Sequence, residues 1–127
     1  LPGTVKSCDG EVVMLDTAFG PLAGTNRAGI DAHTDRKMSI VLPAEAVDLL
    51  PEDMPDAEIR ADFGSNTIPC TIERLQIVGH IMNMVVRFDD GQTINVEGHV
   101  DKYRNRLKAG GRAYVAWRSR NATVIDQ

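Results

Sequence analysis

The chain has 127 residues, 43% hydrophobic and 25% charged, with a net charge of −4 and a pI near 5.3. That length suits one ordinary domain or two very small ones around a packed core. It contains neither a run of the ~18 to 20 apolar residues that a membrane helix needs nor the charged-then-apolar leader of a secreted protein. Cys8 and Cys70 are too few and too far apart for a disulfide framework, and both read as semi-buried free thiols of a cytosolic protein.

In chain order, "LPGTV" reads as the start of a strand and not as a translation start, so an excised piece of a longer polypeptide is expected. "GEVVMLD" is a strand that ends near "FGPLAG", where Gly20, Pro21 and Gly24 mark a turn, and "NRAGIDAHTD" is a polar connector. "KMSIVL" alternates Met38, Ile40 and Leu42 as a half-buried strand does, and "AEAVDLL" is a helical turn or a short strand. These elements form a first unit, residues 1–51. The acidic, proline-bearing "PEDMPDAEIRADFGSNT" follows as a linker, residues 52–67, with a short strand at "EIRADF".

Residues 68–127 form a second unit with five expected strands at 71–78, 81–88, 92–97, 112–117 and 123–125. Met82, Met84, Val86 and Phe88 alternate with Asn83, Val85, Arg87 and Asp89, which puts four apolar side chains on one face. Ile72 falls out of phase with Leu75 and Ile77, the mark of a bulge or bend. Asp90-Gly91 supplies the positive φ of a tight hairpin, after which Ile94 and Val96 resume the alternation. "HVDKYRNRLKAGGR" is a short helix or extended loop ended by Gly110-Gly111.

The fold class is therefore all-β. Five strands with an excursion between the third and fourth follow the plan of an OB-fold, a small partly open barrel. The halves echo each other: "PGTV" with "PCTI", "VVMLD" with "VVRFD", and "KMSIVL…AVDLL" with "RAYVAW…ATVID". Two related β-units in one chain, with strands shared between them as one possibility, are expected. A single irregular β-sandwich is the alternative.

Little in the chain points to catalysis. A phosphate cradle of the form G-x-x-x-x-G-K-[ST] is absent, so ATP hydrolysis by this segment is not expected. His33, His80 and His99 stand at wide intervals without C-x-x-C or H-x-x-x-H, so no metal site is expected, and no nucleophile elbow supports a catalytic triad. Single-stranded nucleic acid is the serious alternative for an OB-like barrel, but Phe88 and Trp117 fall on apolar faces and the hairpin turns Asn83, Val85 and Arg87 outward. With the negative net charge, this argues against a stacking platform.

Charge is unevenly distributed. Seven basic residues against one acid fill residues 101–120, while the rest of the chain holds the other seven bases against seventeen acids. Lys102, Arg104, Arg106, Lys108, Arg118 and Arg120 are the candidate contacts to an acidic patch on a partner, the bland reading being a solvated loop or helix.

Several segments in register carry a resemblance: "LPGTV", "TAFGPL", "MSIVLP.EAVDLLP" and "CTIERLQIVGHIMNMVVRFDDGQTINVE…LKAGGRAYVAWRSRNATVI". Together they resemble the C-terminal TOBE (transport-associated OB) region of ATP-binding subunits of ABC importers, most nearly the polyamine (spermidine/putrescine) type and its relatives. The resemblance implies a cytoplasmic, non-catalytic regulatory domain, peripheral to the inner membrane and not inserted in it. It places ATP and Mg in an ATPase domain upstream of Leu1, and makes a second copy of the ATP-binding subunit and the membrane permease subunits the partners. Binding of a small ligand between the β-units is a lesser expectation, and a free-standing adaptor is a third. The segment departs from its relatives where Leu42, Pro43, Ala44 and Glu45 replace an Arg-Pro-Glu motif. It departs again where Arg118, Ser119, Arg120 and Asn121 replace an acidic turn.

Overall fold

The alternating apolar positions fold as the sequence pattern requires. In a computed structural model that describes residues 1–103 and 107–127, the strands are β1 (Pro2–Asp9), β2 (Val12–Thr17), β3 (Gly20–Thr25), β4 (Lys37–Val41), β5 (Asp48–Pro51), β6 (Thr67–Val78), β7 (Ile81–Phe88), β8 (Thr93–His99), β9 (Arg112–Ala116) and β10 (Thr123–Asp126). A helix, α1 (Asp56–Phe63), joins β5 to β6, and short 3-10 turns stand at Ala44–Ala46, Val100–Lys102 and Ser119–Asn121.

Two sheets result. One is a closed barrel in the order β1-β2-β3-β10-β4, the other an open five-stranded sheet in the order β5-β9-β6-β7-β8. They are the two OB-like units, and they exchange their last strands. β5 follows β4 in the chain but pairs with β9, Leu49 opposite Val115. β10 follows β9 but pairs with β4, Val124 opposite Ile40. The hydrogen bonding thus draws strands from both sides of residue 51, which realises the sharing that the sequence echo left open. The echo extends to irregularities: the register of β1 against β2 shifts between Val5 and Ser7, and that of β6 against β7 between Ile72 and Arg74. Each shift comes directly after the matched "PGTV" or "PCTI", so each first strand bends at the same point of its unit.

The core runs without a break through both sheets. Val5, Val13, Leu15, Leu22, Met38 and Ile40 from the barrel join Ile68, Ile72, Met84, Val86, Phe88, Val115 and Trp117 from the open sheet in one cluster. Each large side chain in it contributes roughly 1.5 to 3 kcal/mol by leaving water. A smaller cluster of Leu50, Ile59, Phe63 and Ala116 seats α1 over β5 and β9.

Three expectations are corrected. "EIRADF" is helix and not strand: Pro55 stands at the N-cap, Asp56 and Glu58 occupy the first turn, and Gly64 ends the helix at φ 60. Ile59 and Phe63, four apart and so one turn apart on the helix, form its buried stripe. "FGPLAG" is not a turn but most of β3, whose residues Leu22, Ala23, Gly24 and Thr25 are all buried. Gly24 suits a close approach, because a Cβ there would stand 3.0 Å from Val124 Cγ2 on the incoming β10 and that side chain would have to yield by a few tenths of an ångström. Finally, Cys8 is exposed, while Cys70 is buried. "AEAVDLL" proves to be both of its readings in succession, a 3-10 turn and then β5.

Candidate functional site

The exchange of strands leaves a seam between the barrel and the open sheet, and Asn66 fastens it. Its side chain is 2% exposed. Asn66 Oδ1 accepts from Ala23 N at 2.7 Å, and its Nδ2 donates to Ser119 Oγ at 3.0 Å. Its carbonyl accepts from Trp117 N at 3.2 Å, and Trp117 Nε1 donates to Ala23 O at 2.9 Å. The buried side-chain polar atoms of Asn66 and Trp117 are therefore satisfied, as burial demands.

Beside this fastening lies a cleft of about 570 Å³, lined by Phe19 and Pro21 from the barrel, by Asp56, Ile59 and Arg60 from α1, and by Gly64, Ser65, Thr67 and Tyr114. Local chemistry fixes each wall. Thr17 Oγ1 donates to Gly20 O at 2.8 Å and accepts from Phe19 N at 3.1 Å, which closes the β2-β3 turn and sets Phe19. The Phe19 ring rests on Phe88, with centroids 5.2 Å apart and planes tilted by 59°, within the range of favourable aromatic pairs. Asp56, Ile59 and Arg60 share one helix face by their spacing of three and four. The cleft is thus preformed, half apolar and half polar, and placed between two units, the usual setting for a small-molecule site.

The outer face of β6, β7 and β8 carries two further hollows of about 580 and 360 Å³, which share Arg74 and Val85. Their walls are Thr71, Glu73, Gln76, Asn83, Arg87, Asn95 and Glu97 among others, and Arg87 Nε is paired to Glu73 at 3.2 Å. Among the described residues, no aromatic side chain lines either hollow.

The basic residues singled out from the sequence that the structure describes have separate surroundings. Lys102 Nζ donates to Asp48 Oδ1 and stands 5.4 Å from the Tyr103 ring centroid. Partial burial is the largest single influence and pulls its pKa down, but the hydrogen bonds and charges of Asp48 and Tyr103 together raise it overall. Lys108 is exposed, its carbonyl accepting from Gly111 N. The Arg118 guanidinium lies 5.3 Å from the Phe63 ring, against α1, and the Arg120 carbonyl accepts from Arg27. Lys108 precedes β9 and Arg118 follows it, and five residues of strand set those ends roughly 16 Å apart. Arg104 and Arg106 lie outside the described residues. The histidines are less solitary than their spacing implies, since the His80 and His99 rings stack at 5.6 Å. Among the described residues, no three His, Cys, Asp or Glu side chains assemble as a metal centre would.

Sequence reasoning missed the cleft because it read residues 52–67 as linker. The signals for α1 were present, in Pro55, the acidic first turn and Gly64 after Phe63.

The sequence pattern of the TOBE domain matches residues 44–125, from the 3-10 turn before β5 into β10. The chain belongs to the TOBE domain family. Its fold is similar to a crystal structure of the cytoplasmic molybdate-binding protein ModG with molybdate bound, at a TM-score of 0.80 and 16% identity. That likeness covers 99% of this chain and 94% of the other. Among curated proteins, none matches the chain. No described helix is long and apolar enough to cross a membrane.

Proposed function

We propose that the chain is a non-catalytic regulatory module that binds a small ligand, within the ATP-binding subunit of a polyamine-type or related ABC importer. The TOBE match over residues 44–125 carries the reading, and the preformed seam cleft supports ligand binding. In this reading the module is cytoplasmic, works beside a second copy of the subunit and the permease subunits, and leaves ATP and Mg to an upstream domain. The coding sequence before Leu1 tests it. A G-x-x-x-x-G-K-[ST] motif with an ABC signature there is the expected result, and an unrelated domain overturns the transporter assignment.

The likeness to ModG, which covers 99% of this chain, favours a second reading, a small-anion binder independent of any ATPase. Calorimetric titration with molybdate and sulfate separates the two. Saturable heat supports the anion reading, and its absence at about 10 mM removes it.

A further inference from the structure

We infer that the seam cleft takes a small zwitterion with a flat apolar body, of the class of the aromatic α-amino acids, its ammonium on Asp56 and its carboxylate on Arg60. This rests on the small-ligand reading above and narrows it. The charges argue first. Asp56 and Arg60 are one helical turn apart on the face that lines the cleft, which sets their Cβ atoms roughly 5 to 6 Å apart. That spacing commonly gives a direct ion pair, yet neither side chain is ion-paired to the other or to any other described residue. One unneutralised carboxylate and one unneutralised guanidinium therefore border the same space.

A polycation in the cleft would meet Arg60, and an inorganic oxyanion would meet Asp56, so a ligand of either single sign has one repulsive neighbour. An α-amino acid carries both charges on one carbon and presents each to its complement. The apolar lining accounts for the rest of the ligand. Phe19, Pro21, Ile59 and Tyr114 form walls for a ring, and Phe19 is already held by Thr17 and Phe88, so little side-chain freedom is lost on binding. The hydroxyls of Ser65 and Thr67 remain for a polar substituent.

Calorimetry on the full 127-residue chain tests the inference with L-phenylalanine, with phenethylamine and phenylpropionate as its singly charged analogues, and with spermidine and molybdate. L-phenylalanine is expected to bind most tightly of the five. D56N and R60Q are each expected to weaken it about tenfold, while R74Q on the outer hollows leaves it unchanged. Asp56 and Arg60 are both exposed, so the variants should keep the parent circular dichroism, which separates lost binding from lost fold. Should L-phenylalanine bind no better than its analogues, or survive D56N and R60Q undiminished, the zwitterion assignment falls. Binding of spermidine or molybdate alone overturns the ligand class and keeps the small-ligand reading. Silence from all five overturns both.

Discussion

Asn66 shows how much one side chain can hold. Its amide oxygen, amide nitrogen and carbonyl reach three different segments, so truncation strands the Ala23 N–H in a region closed to water. Asn66→Ala should lower stability by about 2 kcal/mol, the cost of a buried polar group left without its partner. The measurement is a lower urea midpoint at unchanged slope. The cysteines offer a second test. Burial pushes the Cys70 thiol up to about 11, so it stays neutral and shielded, while Cys8 is exposed with its Sγ 3.0 Å from Ala32 O. A thiol-disulfide reagent at pH 8 should therefore label one cysteine in the native chain and two in denaturant, with Cys8 as the native adduct by peptide mapping. The unfolded chain releases the Cys70 proton first, near 9.0. Its contribution to stability is accordingly complete below that pH and is lost as pH rises toward about 11.

At the scale of elements, Arg112 on β9 reaches across β6 to the end of β7. Its Nη1 and Nη2 donate to Asp89 Oδ1 and Oδ2 at 2.7 and 3.3 Å, and Nη1 also donates to Thr71 Oγ1 at 3.0 Å. The hydrogen bond from Arg112 holds the Asp89 carboxyl below its usual value. A depressed acid stabilises the fold above its unfolded pKa of 3.8 and loses that effect as pH falls through the folded value. The melting temperature of D89N should thus lie below that of the parent at neutral pH and converge with it in acid. The gap should narrow at high salt, because the pair is exposed.

The sequence made some elements plain and hid others, for physical reasons. β7 was legible because Met82, Met84, Val86 and Phe88 hold a period of two without interruption, and the bulge of β6 because Ile72 breaks phase with Leu75. β3 was hidden because Gly20, Pro21 and Gly24 read as a turn, when Gly24 is there to let β10 approach. The helix was hidden because only Ile59 and Phe63 of its eight residues are buried, too few to outweigh its acidity. The candidate site was not legible at all. Phe19, Asp56, Thr67 and Tyr114 come from four elements whose meeting depends on the strand exchange, and no local spacing encodes that.

The whole molecule has one core threaded by two crossing strands. Removing β10 would open the barrel, and removing β5 would strip an edge from the other sheet. Neither unit can then lose its structure without costing the other, so unfolding should be all-or-none. Trp117 reports on the seam and far-ultraviolet circular dichroism on every strand. Their urea transitions should coincide, and two separated midpoints would show independent units.

The pairing of β4 has a consequence for how the chain is held. Ser39 faces Pro2 on one side and Ile125 on the other, so the first and last strands run parallel about 10 Å apart with β4 between them, and the two ends leave in opposite directions, Leu1 toward Ile40 and Gln127 toward Lys37. Tension applied through both ends would shear those strands along β4 and leave the open sheet slack. A Gly-Ser bridge from Gln127 to Leu1 long enough to run back across β4, with new ends cut at the Asp90-Gly91 turn, should preserve the melting temperature within a few degrees. The lobe bearing β6, β7 and β8 is then a pendant, free to meet a ligand or neighbour while β1, β4 and β10 bear the load.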